Sequence, residues 1–144
     1  MERIVLPGRF IIKGVAHAEA LVSLEPISFW GGYDWQTGEI IDRQHDLSGQ
    51  FAGGKILALP FSRGSSTTTA VLLEAIRNGS APAAILTTAT DFFFALASVV
   101  ADELYSTPLP LLALKEMDFM KLHTGDDLEI TAGGDVVLHR GNTK

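Results

Sequence analysis

From Pro60 the chain reads Pro-Phe-Ser-Arg-Gly-Ser-Ser-Thr-Thr-Thr, one cation and one glycine leading into five consecutive hydroxyls. The apolar run Ile56 to Leu59 before it predicts a buried strand, and Ala70 to Ile76 after it predicts a helix. A strand that stops at a polar turn and opens a helix aims backbone N–H groups and the positive end of the helix dipole at one point. That point suits an anion, and Arg63 adds a bidentate clamp for a carboxylate or phosphate. Ser65 or Ser66, held at the N-cap in such a field, becomes a tuned hydroxyl. The plainer alternative is an ordinary serine cap.

The elements that position these residues alternate. Strand Lys55 to Pro60, helix Ser66 to Asn78, strand Ala83 to Thr88, helix Phe92 to Leu104 and strand Leu109 to Leu114 follow one another. Gly79 is a good residue to close the first helix, with Pro82 blocking continuation, and Asp91 can cap the second. This order predicts an α/β fold with a parallel core. Nearer the N-terminus, Ile11 to Leu21 begins with β-branched residues and a turn at Gly14, and Ala20-Leu21-Val22 suggests a second short strand. Asp127 to Thr131 and Asp135 to His139 flank Ala132-Gly133-Gly134 and read as a closing β-hairpin. The whole is a layered α/β fold with antiparallel strands added at both ends. No repeat or linker breaks it, so residues 1–144 are read as one domain.

Composition bounds the function. A net charge of −6 argues against a general nucleic-acid or anionic-membrane binder. The chain has no cysteine, which fits a reducing cytoplasm and excludes disulfides, thiolate zinc, a Cys nucleophile and a cysteine-ligated iron–sulfur cluster held by this chain. Met1 to Arg9 lacks the apolar core of a signal peptide, and Phe92 to Ala101 is too short to span a bilayer. A cytoplasmic protein is expected.

Other candidates are weaker. Gly49-Gln50-Phe51-Ala52-Gly53-Gly54-Lys55-Ile56 nearly spells a phosphate-binding P-loop, but Ile56 replaces the Mg²⁺-holding hydroxyl and the glycines precede a strand, where the motif needs a helix. His17, His45, His123 and His139 lie far apart, none at metal-ligand spacing, so no metal site is assigned. The segment around His17 has a faint similarity to the phosphohistidine stretch of phosphoryl-carrying swivelling domains, without their Thr/Ser and glycine pattern. Phe29, Trp30, Tyr33 and Trp35 with Gly31 and Gly32 suit packing anchors, a substrate lid or a docking loop.

Several of these motifs occur together in one known order. Phe29-Trp30-Gly31-Gly32, Thr37-Gly38-Glu39-Ile40-Ile41-Asp42, Gly54-Lys55, Arg63-Gly64-Ser65-Ser66, Leu72 to Gly79 and Ala81-Pro82-Ala83-Ala84-Ile85 resemble the small subunit of the aconitase X family. The resemblance covers roughly residues 8–114; residues 115–144 carry no recognised motif. It implies a swivelling β/β/α domain that closes over the active site of a separate large catalytic subunit, which carries the iron–sulfur cluster. Family activities are cis-3-hydroxy-L-proline dehydratase and phosphomevalonate dehydratase.

By motif position the catalytic serine falls on Ser65, the residue that removes a proton beside the substrate carboxylate. Serine is a poor base unless N–H groups and a cation stabilise its alkoxide, which the helix start and Arg63 would supply. Gly64 and Ser66 shape the site, Arg63 assists or clamps the carboxylate, and Gly31 and Gly32 join them as substrate-binding residues. Conventional aconitases place Arg after Ser-Ser, whereas Arg63 precedes Ser65 and Ser66, so its part is not carried over directly. A small hydroxy acid, cis-3-hydroxy-L-proline, is the expected substrate, because a single arginine near the site suits it better than a phosphorylated one. The alternatives are a phosphomevalonate dehydratase small subunit, a non-catalytic anion- or partner-binding domain, and a phosphohistidine carrier at His17.

Overall fold

The structure is a computed structural model that describes residues 2–61 and 66–140. Its elements are β1 (Glu2–Ile12), β2 (Ala16–Val22), β3 (Ile56–Ala58), α1 (Ser66–Asn78), β4 (Ala84–Thr87), α2 (Phe92–Tyr105), β5 (Leu111–Leu114), α3 (Glu116–Phe119), β6 (Asp127–Ile130) and β7 (Asp135–Arg140). The strands close into a barrel in the order β1-β5-β4-β3-β2-β6-β7. Strands β2 to β5 run parallel, in register Leu21↔Leu57, Leu57↔Ile85 and Leu86↔Leu112. The remaining pairs are antiparallel.

The apolar runs of β3, β4 and β5 reflect two buried faces. Ile56, Ala58, Ala84, Leu86, Leu112 and Leu114 fill the barrel with Leu6, Leu128, Val136 and Leu138. The alternate residues Leu57, Leu59, Ile85 and Leu111 face outward, against Leu72, Ala75, Ile76, Phe94, Ala97 and Ala101 of the two long helices. Those helices form the connections between β3 and β4 and between β4 and β5. The α/β core and the closing hairpin therefore stand as expected, with boundaries shifted by a residue or two.

Closure of the barrel is a finding the motif pattern did not contain. β1 begins at Glu2, well before the Ile11 start read from the sequence. Its first half pairs with β7, Glu2↔Arg140 to Pro7↔Asp135, and its second half with β5, Gly8↔Leu114 to Ile12↔Leu111. Pro7, which has no N–H for a ladder, falls at the handover. Gly8 approaches Gly134 so closely that a Cβ would lie 2.6 Å from its carbonyl oxygen. The other end of the hairpin is fastened by a bidentate pair, with Arg140 Nε and Nη2 each donating to the buried Asp126 carboxylate at 2.9 Å.

Candidate functional site

Arg63, Gly64 and Ser65 lie outside the described residues, while Ser66 is the first residue of α1. The residues on either side of them, up to Phe61 and from Ser66, are described. The Pro60 carbonyl, at the exit of β3, accepts the Thr88 N–H at 3.2 Å and the Thr88 hydroxyl at 3.0 Å. Three residues further on, Asp91 caps α2 from an extended backbone, accepting the N–H groups of Phe93 and Phe94 at 3.1 Å each. On α1, Thr69 donates its hydroxyl to the Phe93 carbonyl at 3.0 Å.

These bonds tie the first turn of α1 to the first turn of α2. Both helices thus begin side by side at the carboxyl ends of parallel strands, the edge where open α/β sheets place their ligands. Two dipole ends with the same sign add their fields there. The expected Asp91 cap of α2 is in place, and Thr69 fastens one helix to the other. The Ser/Thr run announced a helix start but gave no sign of that fastening.

The aromatic loop serves packing. Phe29 is fully buried, stacked on Tyr33 with ring centroids 5.0 Å apart and edge-on to Phe94 of α2 at 5.5 Å. The Tyr33 hydroxyl donates to the Ser80 carbonyl at 2.7 Å, and burial holds its pKa well above the ordinary tyrosine value. Ser80 in turn donates its hydroxyl to the Trp35 carbonyl. Gly31 adopts φ +78°, and a Cβ on Gly32 would lie 2.2 Å from the Ser28 carbonyl oxygen. The loop therefore requires both glycines for its own shape, whatever they contact beyond it. Trp30 stands outside this packing, 70% exposed.

The histidines do other work. His17, on β2, bonds Asp127 on β6 at 2.9 Å, and that hydrogen bond and charge raise its pKa. Glu129 adds a further, smaller acidic influence. A phosphoryl group delivered to His17 would meet like charge, which disfavours the carrier alternative. Among the described residues, Glu25, His45 and Asp46 bring three ligand-type atoms within 4.8 Å of one another, a grouping that spacing did not announce. Their atoms are engaged in holding the loop: His45 Nδ1 takes the Leu47 N–H at 3.1 Å, and Asp46 takes the Ser23 hydroxyl at 2.7 Å. The P-loop look-alike ends in a Gly53-Gly54 turn that enters β3. Among the described residues no helix is long and apolar enough to cross a membrane.

Sequence reasoning missed Arg9. Its Nη2 donates to Thr90 Oγ1 at 3.1 Å, so a residue 81 positions away reaches the turn that opens α2. No local spacing signals such a contact, which exists only once β1 has paired with β5.

Comparison with known proteins meets this geometry. Residues 5–139 match the family model described as the aconitase X swivel domain. The chain is 46% identical over 108 residues to a cis-3-hydroxy-L-proline dehydratase of Pseudomonas aeruginosa, covering 75% of this chain and 19% of that one. It is 33% identical over 131 residues to the phosphomevalonate dehydratase small subunit of Methanosarcina acetivorans, covering 90% and 87%. The chain thus spans about a fifth of the length of the cis-3-hydroxy-L-proline dehydratases it matches, and most of the length of the small subunits. The crystal structure of Thermococcus kodakaraensis aconitase X in its holo form superposes with a TM-score of 0.84 at 32% identity, covering 95% of this chain and 99% of that one.

Proposed function

Because this chain belongs to the aconitase X family, as its swivel domain, we propose that it is the cluster-free part of a hydro-lyase that removes water from a small hydroxy acid. The observation that carries this reading is the pairing of the α1 and α2 starts at one barrel edge. In sequence, the family's Arg-Gly-Ser motif falls between Phe61 and the start of α1.

Ser65 is the proton-abstracting residue. The proton to be removed sits on carbon beside a carboxylate and is weakly acidic, so the base must be a strong one held in a stabilising field. N–H groups at a helix start and the Arg63 guanidinium lower the cost of an alkoxide at Ser65. Gly64 and Ser66 are assigned to shaping the site, and Gly31 and Gly32 to binding substrate once the large subunit is in place. With no cysteine in the chain, its residues do not fit a thiolate-held iron–sulfur cluster. The cluster belongs to a larger partner subunit, and no step on this chain is routed through it.

The 46% identity to a cis-3-hydroxy-L-proline dehydratase supports cis-3-hydroxy-L-proline as substrate. A second reading, phosphomevalonate, is favoured by the near full-length match to small subunits of that name. Mixing the chain with its large subunit, with each also assayed alone, tests both. Dehydration only by the mixture, on one of these two acids, is the expected result. Ser65→Ala should then abolish turnover while leaving the melting temperature and the complex intact; full activity of that variant would refute the assignment.

A further inference from the structure

A cleft of about 360 Å³ opens where β4 and β5 end, bounded by Gly8, Arg9, Thr88, Ala113, Leu114 and Lys115. Two cations line it and no acidic residue does. In a chain of net charge −6, that is a local reversal of sign. Among the described residues, Arg43, Lys55, Arg77, Lys121 and Arg140 each have a carboxylate partner; Arg9 and Lys115, like Arg3 and Lys13, form no ion pair, and of these four only Arg9 and Lys115 line the cleft. Arg9 is aimed all the same: its bond to Thr90 holds the guanidinium on the turn before α2 and leaves the rest of its fork available.

The cleft is built by the sheet itself. Arg9 stands opposite Ala113 across β1 and β5, and Ala113 stands opposite Thr87 across β5 and β4. Thr88, the next residue, bonds Pro60 at the exit of β3. The cleft is therefore continuous with the edge where the two helices start.

We propose that Arg9 and Lys115 bind an oxyanion group of the substrate, a carboxylate or a phosphate. Arg9 acts as a two-pronged clamp and Lys115 as a point charge. This rests on the dehydratase reading above and deepens it. With Arg9 and Lys115 assigned to the substrate, the presence of a single arginine in the Arg63 motif no longer argues against a phosphorylated one.

The test is steady-state kinetics of the assembled enzyme carrying Arg9→Gln, Lys115→Gln, both together, or Arg9→Lys. Each Gln variant should raise KM roughly tenfold or more with kcat little changed, as expected for losing a bond to a charged group. Arg9→Lys should recover part of the loss, because it restores the charge without the fork. A raised KM for cis-3-hydroxy-L-proline, which has no phosphate, identifies the carboxylate as the bound group. Where phosphomevalonate is the acid turned over, competitive inhibition by inorganic phosphate that weakens in the variants identifies the phosphate, and inhibition by acetate that weakens identifies the carboxylate. An unchanged KM in the double variant overturns the proposal. Should neither acid be turned over, the dehydratase reading fails while the cleft is still read directly, by NMR titration of the chain with inorganic phosphate and with acetate. Saturable amide shifts at Arg9, Thr88, Thr90 and Lys115 that vanish in the double variant support the site, and their absence with both anions refutes it.

Discussion

Phe94, Phe29 and Tyr33 form a line of rings from the first turn of α2 to the carbonyl beyond the end of α1, and their coupling can be weighed. The Phe29 and Phe94 centroids lie 5.5 Å apart at 74°, within the edge-to-face range. Such a pair contributes about 0.5–1.5 kcal/mol beyond its area burial. Phe29→Leu and Phe94→Leu keep much of the buried volume, so each should cost about 1–2 kcal/mol. A chain of this length loses roughly 3 °C of melting temperature per kcal/mol. Each single variant should therefore melt roughly 3–6 °C lower. The double variant should be less destabilised than the sum by about 0.5–1.5 kcal/mol, because the second change no longer breaks the ring pair. Thermal and urea unfolding of all four proteins gives the cycle. Strict additivity, within about 0.3 kcal/mol, would show that the rings do not sense each other and that the loop is not seated through them.

Other outcomes follow from single contacts. Burial pushes the Asp126 carboxyl up, but its bonds to Arg140 and the His123 N–H prevail and hold it below the usual carboxylate range. That stabilisation is complete above the unfolded carboxyl value and is lost as pH falls through the folded one, so Arg140→Gln should cost about 2–3 kcal/mol near neutrality. In urea titrations the gap from the unsubstituted protein should narrow below about pH 4, and a gap independent of pH would contradict the assignment. His17 has its pKa raised by Asp127, so its contribution is full below the unfolded histidine value and fades as pH rises through the folded one. An NMR titration should place its midpoint above that of a free imidazole and move it down in Asp127→Asn; identical midpoints would deny the pair any influence. Gly32→Ala forces a methyl onto the Ser28 carbonyl and should cost about 1–3 kcal/mol. Gly31→Ala meets no neighbour and should cost only the left-handed backbone penalty of about 1–2 kcal/mol. Differential scanning calorimetry should find Gly32→Ala the more destabilised of the two, and the reverse order would contradict the clash.

What the chain showed before folding divides along local and non-local lines. The two long helices carry their own stop and start residues, Gly79 at φ +82° and the Asp91 cap, so their ends were readable from residue type. The hairpin announced itself through Ala132-Gly133-Gly134. β1 was hidden because Pro7-Gly8 reads as an interruption of a strand. The fold uses that interruption as the point where one strand changes neighbours. α3, at four residues, is too short to show a period. In the candidate site the serine and arginine were legible as a motif. The cations of the cleft were not, since Arg9 and Lys115 meet only through barrel closure and no spacing records that meeting.

That closure has a consequence for how the domain can be wired into longer polypeptides. The first described strand lies against the last, with Glu2 opposite Arg140, so the two ends of the described chain are a strand's width apart. A loop of a few residues could join them, and a cut at an exposed turn such as Ala132-Gly133 would then give a permuted chain with the same ring of strands. Either end can also carry a fused neighbour from the same side of the barrel. The Pro60-to-α1 junction is covalently remote from both ends, so splicing at those ends leaves the edge of the candidate site untouched.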